Sequence, residues 1–199
     1  MIDIAAVTRM HQDTVERWHR EDVNNPYEGI LELACQQHAF NFLLWHQEDI
    51  ARSPDVGDAR IAEVKRAIDR YNQQRNDWIE KIDDWLTEQL AARGIAPSSG
   101  VPMNTETPGS VVDRLSIIAI RIYHLDEQTQ RTDASADHLD KVRHKLAVCR
   151  LQRDELAGAL EQLLADIAAG RKRHRTYRQM KMYNDPTLNP YLYKSAQPK

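Results

Sequence analysis

The sequence has few cysteines and lacks long apolar runs, and each shortage excludes a class of protein. Its two cysteines, Cys35 and Cys149, lack the paired spacing of a zinc knuckle or a disulfide framework, so we expect two reduced, buried thiols. No stretch approaches the roughly 18 uninterrupted apolar residues of a transmembrane helix, and residues 1–10 lack the layout of a signal peptide. We therefore expect no membrane association and a cytoplasmic location.

Glycine and proline are also scarce, which favours a helical globular fold. The 199 residues include 7 Gly and 8 Pro, with 41% hydrophobic and 29% charged residues. A chain of this length fits one domain and buries roughly two thirds of the surface that its unfolded form exposes. We predict a single helical domain over residues 1–199.

The charge is modest overall but unevenly placed. The net charge is −3, and residues 171–199 hold eight Lys and Arg against one acid, Asp185, which gives this tyrosine-rich segment +7 and leaves −10 for the rest. A basic segment after an acidic body favours docking within the chain or an anionic partner. Nucleic-acid binding is not expected, because the acidic remainder would repel a phosphate backbone. Leu188 and the closing tyrosines Tyr191 and Tyr193 are expected to pack back onto the body.

Start signals, periodicity and stops predict five helices in an all-α, up-and-down bundle. Asn25 and Pro26 resemble the cap and first residue of the second helix, Gly94 ends the third, and Thr107 with Pro108 starts the fourth. A linker follows the third helix at about residues 95–106. The predicted helices span about residues 3–22, 25–52, 58–93, 107–130 and 135–170.

The third and fifth helices share an apolar repeat that one arginine interrupts in each. Arg75 lies 17 residues after Asp58, and Arg153 lies 17 after Ala136, so parallel helices that start level would bring both guanidinium groups to one height. Such a layer is either a structural ion-pair layer or a pocket for phosphate or carboxylate. The third helix, about 54 Å long, exceeds a small domain, and we expect its ends to be covered in a homodimer.

Six short sequence motifs resemble those of a bacterial family known as domain of unknown function 4254, over about residues 25–193. That resemblance implies a bacterial origin and a single domain. The family has no established activity, so the resemblance implies no catalytic residues. The motifs are Trp45-His46-x-Glu48-Asp49, Lys65-Arg66-x-Ile68-Asp69, Asn72-Gln73-x-Arg75, Asn104-Thr105-Glu106-Thr107-Pro108, Asp113-Arg114-Leu115-Ser116-Ile117 and Lys181-Met182-Tyr183-Asn184-Asp185-Pro186.

The second and fourth helices carry more polar residues than helices that only pack into an apolar core would need. We expect a core pocket for an anionic small molecule of the phosphate or sugar-phosphate type, in which Trp45 stacks and the arginines hold charge. If the protein is an enzyme, Asp49 or Asp113 is the candidate general base. The alternative is an interaction or scaffold protein that uses residues 171–199. The candidate ligand-binding residues are Trp45, His46, Asp49, Asn72, Arg75, Asp113, Arg114 and Arg153, with Asn104 and Glu106 at the edge of the pocket.

Histidines and carboxylates on these helices raise the question of a metal. His38, His46 and His124 stand near several acids, but di-iron bundles repeat a Glu-x-x-His pair on two helices, and the chain lacks that repeat. We therefore expect no metal site, and the sequence identifies no cofactor.

Overall fold

The computed structural model describes residues 1–95, 100–182 and 185–193, and within them it forms a bundle of helices, as predicted. Parts of the predicted linker (96–99) and of the C-terminal segment (183–184 and 194–199) lie outside the described residues. The helices are α1 (Ile4–Trp18), α2 (Gly29–Arg52), α3 (Asp58–Ala92), α4 (Pro108–Thr129), α5 (Ala136–Ala168) and the single-turn α6 (Pro190–Tyr193).

Short-range hydrogen bonds explain why most helix ends fall where the sequence places them. The side chains of Thr107 and Ser135 accept hydrogen bonds from backbone N–H groups in the first turns of α4 and α5, which satisfies donors that the helix itself leaves unpaired. Gly94 ends α3 with φ of +70°, a conformation that glycine adopts without strain. These starts and this stop are confirmed.

The predicted start of α2 is wrong by four residues. Asn25 does not cap the helix; instead its side chain accepts from the N–H of Tyr27 and donates to the carbonyl of Glu32. This bridge holds residues 25–28 in a non-helical conformation, and α2 begins at Gly29, whose φ of +60° lets the chain turn into the helix. A local side-chain hydrogen bond has therefore displaced the expected cap.

The helices pack as two hairpins with α1 across them. α2 packs on α3 and α4 packs on α5, and α1 lies against α4, α2 and α5. The main core joins apolar residues of α1, such as Val7 and Met10, with residues from all four longer helices. His11 contacts His38 and His19 contacts His46, so α1 runs in the same direction as α2. That direction requires the extended connection before Gly29.

α3 and α4 approach closely at Gly109, and this contact sets the register of the candidate site. A Cβ at Gly109 would lie 2.6 Å from the carbonyl oxygen of Ile79, so only glycine permits this spacing. The N–H of Gly109 also donates to Asp83 at 2.7 Å. One turn further along α4 from Gly109 and one turn back along α3 from Ile79, the same register places Asp113 beside Arg75.

The basic C-terminal segment docks on the acidic face of α3. His174 contacts the carbonyl of Asp83, Arg178 pairs with Glu80 and Asp84, and Lys181 donates to the carbonyl of Asn72 at 3.4 Å. Docking within the chain is therefore observed. The expected packing of the last residues is wrong, however, because Tyr191 is 89% exposed and Leu188 is 49% exposed.

Two other expectations concern cysteines and membrane spans. Cys35 and Cys149 are free and buried, as expected. None of the helices in the described part of the chain has the length and apolar character needed to cross a membrane.

Candidate functional site

A buried polar network joins α2, α3 and α4 around the carboxylate of Asp113. Its side chain is 6% exposed and pairs with Arg75. One oxygen accepts hydrogen bonds from Gln37 (2.6 Å), Asn41 (2.9 Å) and the Nε of Arg75 (2.7 Å), while the other accepts from the Nη2 of Arg75. Because both oxygens are occupied, Asp113 serves to hold Arg75. The other candidate base, Asp49, is exposed and takes no part in these hydrogen bonds.

The same network orients Arg75 and leaves part of its guanidinium group available. Two of its N–H groups donate to Asp113, and Nη1 makes a single contact of 3.5 Å with the side-chain oxygen of Asn72. The side chain is 26% exposed. Hydrogen bonding to Asp113 raises the pKa of Arg75 further, so the group stays charged at every physiological pH. A fixed, partly open guanidinium group of this kind suits a planar or tetrahedral oxyanion.

Arg75 opens onto a cavity of about 520 Å³ between α2, α3 and α4. Four of the predicted ligand-binding residues, Trp45, Asp49, Asn72 and Arg75, line it. Its volume falls in the range typical of small-molecule sites. The other lining residues are Asn41, Leu44, Glu48, Arg52, Ile68 and Ile117.

A cluster of three histidines lies on the other side of Trp45. The indole of Trp45 stacks on the ring of His124, with centroids 5.1 Å apart. His124, His46 of α2 and His19 at the end of α1 present ring nitrogens that all lie within 4.8 Å of one another. His46, a predicted ligand-binding residue, therefore belongs to this cluster and not to the lining of the Arg75 cavity.

Hydrogen bonds fix the orientation of two of these rings. The Nδ1 of His19 lies 2.7 Å from the carbonyl of Val15, and the Nδ1 of His124 lies 2.9 Å from the carboxylate of Glu127. Both partners are acceptors, so each Nδ1 carries the proton. Burial, together with the nearby His19 and His124, lowers the pKa of His46.

Arg153 and Arg114 lie apart from the Arg75 cavity. Arg153 pairs with Asp154, its own neighbour on α5, whereas Arg75 pairs with Asp113 on α4. The two guanidinium groups therefore have separate partners and do not form the expected shared layer. Arg114 pairs with Glu106 at 2.6 Å in a solvent-exposed position.

The expected edge of the pocket at the start of α4 does not offer a free anion site. Asn104 donates to the carbonyl of Glu106 at 3.3 Å, within its own loop. The first turn of α4 already holds a carboxylate of this chain, because Asp83 accepts from the N–H of Gly109. Burial raises the pKa of Asp83, and the hydrogen bond from Gly109 opposes that rise.

The predicted ligand-binding residues omit Gln37 and Asn41, which donate to Asp113, and Ser116, whose hydroxyl accepts from Asn41 at 2.8 Å. They also omit His19 of the histidine cluster. Asn41 shares a helical face with Trp45, one turn apart, which is a signal for its place at the cavity. His19 carries a different signal: Glu16 and His19 form the single Glu-x-x-His pair of the sequence. Glu16 itself is exposed and pairs with Arg20, so only the histidine of that pair reaches the cluster.

Comparison with known proteins places the chain by family alone. No curated protein and no solved structure matches it. The family model described as "Protein of unknown function (DUF4254)" matches residues 31–176, which include all but the first two residues of α2 and the whole of α3, α4 and α5. Arg75, Asp113 and the residues that line the cavity therefore lie within the match. The match covers well over half of the chain, and the protein belongs to the DUF4254 family.

Proposed function

We propose that the protein binds a small molecule with an anionic group, of the phosphate or sugar-phosphate type, in the cavity lined by Arg75 and Trp45. The observation that carries this proposal is the anchoring of Arg75 by Asp113 at the wall of a cavity of about 520 Å³. A buried ion pair adds little net stability compared with apolar residues of similar size. The net stability of the ion pair therefore does not explain the network, whereas the positioning of the remaining N–H groups of Arg75 for a ligand does.

The other lining residues supply the contacts that a sugar phosphate needs. Trp45 offers a flat apolar surface, and Asn72 and Asp49 offer polar groups for hydroxyls. Lys181 brings a positive charge close to the lining residue Asn72, because its amino group donates to the backbone carbonyl of Asn72 at 3.4 Å. Asp49, exposed and free of the Asp113 network, is the group placed to accept a proton if the bound molecule reacts.

The alternative, a scaffold protein that binds its partner through residues 171–199, has less support. Arg178 is engaged by Glu80 and Asp84 of α3, and Arg171 is engaged by Asp166. Charges neutralised within the chain contribute little to binding an external acidic partner.

Isothermal titration calorimetry with tag-free protein tests the proposal. The probes are inorganic phosphate, a hexose phosphate and a nucleoside monophosphate. We expect one of the two organic phosphates to bind, and Arg75→Lys to weaken that binding at least tenfold, because lysine cannot reproduce the fork of the guanidinium group. Asn72→Ala, which leaves the Arg75–Asp113 pair intact, should also weaken it.

Arg153→Lys is the matched control, since Arg153 is an ion-paired arginine that does not line the cavity. We expect the control to bind as the native protein does. The absence of binding by all three probes, or equal affinities for native protein and Arg75→Lys, would reject the proposal.

Two further proposals concern assembly and location. We keep the homodimer expected from the long helices, and Leu151 on α5 is 57% exposed and available for an interface. Native mass spectrometry of freshly purified protein tests the dimer through the mass of the intact species, and a monomer at micromolar concentration would contradict it. A cytoplasmic location fits the two free cysteines.

A further inference from the structure

We propose that His19, His46 and His124 form a binding site for a divalent transition metal, with Zn²⁺ as the preferred ion. The sequence pattern predicts no metal site, and the proposed anion-binding cavity does not depend on one. The inference rests on three observations about the cluster: the convergence of its nitrogens, the protonation of its rings and the arrangement of its outer hydrogen bonds.

The convergence is close to what a metal requires. The three ring nitrogens lie within 4.8 Å of one another, and they come from the residue that follows α1, from α2 and from α4. Zinc bound tetrahedrally at about 2.0–2.1 Å from each nitrogen holds its ligands roughly 3.3 Å apart. Side-chain rotation therefore has to bring the nitrogens closer by up to about 1.5 Å when the ion binds.

The protonation of the rings points to a cation. The Nε2 atoms of His19 and His124 are buried and have no hydrogen-bond partner among the described residues. Because each Nδ1 donates to an acceptor, each neutral ring carries its lone pair on Nε2. Buried lone pairs without a hydrogen-bond partner are unfavourable, and a metal ion bound by these rings would satisfy them.

The outer hydrogen bonds match those around metal-binding histidines. Such histidines donate the second ring N–H to a backbone carbonyl or a carboxylate, which fixes the ring and strengthens the ligand. His19 does so to the carbonyl of Val15, and His124 does so to Glu127. Three imidazole ligands select Zn²⁺ and its neighbours over Mg²⁺ or Ca²⁺, and they leave a fourth position for water.

Metal binding to tag-free, chelator-treated protein tests this inference. We expect the protein to bind one Zn²⁺ per chain, and to give the visible absorption of four-coordinate Co²⁺ when Co²⁺ replaces it. Zn²⁺ at a hundredfold excess over its Kd should raise the Tm by about 5–10 °C, because the ion joins α1, α2 and α4.

Variants identify the ligands. His46→Gln and His124→Gln should each weaken Zn²⁺ binding at least a hundredfold, and Glu127→Gln should weaken it about tenfold by releasing the ring of His124. Glu127 is exposed, so this variant keeps the test valid if a histidine variant fails to fold. His144→Gln, an exposed histidine on α5, is the matched control and should bind normally.

Two results would overturn the inference. One is the absence of Zn²⁺ and Co²⁺ binding by the native protein in solution. The other is binding that all the cluster variants retain at native affinity, which would locate the ion at another site.

Discussion

Replacing Asp113 by alanine should destabilise the protein strongly, because it removes the shared acceptor of the buried polar network. The carboxylate is 6% exposed and is the common acceptor for Gln37, Asn41 and two N–H groups of Arg75. Alanine leaves Gln37 and the two N–H groups of Arg75 without this acceptor, whereas Asn41 keeps its hydrogen bond to the hydroxyl of Ser116 at 2.8 Å. The guanidinium group of Arg75 also becomes a partly buried charge with no counter-charge, since Asn72 offers it only a contact of 3.5 Å.

The expected magnitude follows from the burial of this pair. Removing one partner of a buried ion pair typically costs about 3–5 kcal/mol. Arg75 is 26% exposed and recovers some hydration through the cavity, so we expect about 3–4 kcal/mol for Asp113→Ala. For a chain of this size, that corresponds to a fall in Tm of about 6–16 °C. Arg75→Ala should cost less, about 2–3 kcal/mol, because Asp113 keeps its bonds from Gln37 and Asn41.

A double-mutant cycle measured by urea unfolding isolates the coupling between Arg75 and Asp113. We expect a coupling energy above about 1.5 kcal/mol. Arg114 and Glu106 form the matched control pair, which involves the same helix but is 52% and 39% exposed and should couple by about 0.2–1 kcal/mol. Equal coupling in the two cycles, or a cost below about 1 kcal/mol for Asp113→Ala, would show that the network does not hold Arg75 as argued.

Three other changes test the packing, the buried histidines and the C-terminal segment. Gly109→Ala should destabilise the protein by at least about 2 kcal/mol, because the added Cβ meets the carbonyl of Ile79. Gly158→Ala, which lies in open space on α5, should stabilise the protein by about 0.5–1 kcal/mol. Thermal unfolding of the two variants compares these effects. Burial lowers the pKa of His11 to about 3, so the stability that its neutral form provides is complete above about pH 6.5 and is lost as the pH falls towards 3. His11→Leu should therefore recover up to about 2 kcal/mol of the stability that the native protein loses between pH 7 and pH 5. An unchanged dependence of the unfolding free energy on pH, measured by urea unfolding, would contradict this. Arg178→Ala should speed proteolytic cleavage within residues 171–182 without a large change in Tm, since its ion pairs with α3 are exposed; a cleavage rate equal to that of the native protein would argue against the docking.

Much of the fold was predictable because its signals are local. Periodic apolar residues, the caps at Thr107 and Ser135 and the stop at Gly94 act within a few residues of the chain, so α3, α4 and α5 lie where expected. The start of α2 was missed because the competing hydrogen bond from Asn25 to the carbonyl of Glu32 spans seven residues and is visible only in the folded chain.

The candidate site was predictable in part. Helical spacing along α2 and α3 places Trp45, Asp49, Asn72 and Arg75 on faces that meet, and the structure brings them to one cavity. The error over Arg153 came from assuming that the two helices with similar repeats pack together, whereas α3 packs on α2 and α4.

The sequence by itself determined the helices, the family and the residue types available for chemistry, because propensity, capping and periodicity are properties of neighbouring residues. Only the tertiary structure decided which partners those residues meet. Arg75 binds Asp113, 38 positions further along the chain, and His19 after α1 converges with His46 of α2 and His124 of α4. The contact between Arg75 and Asp113 depends on the register at Gly109, and the convergence of the histidines depends on the direction of α1. Both are set by close packing between distant segments of the chain.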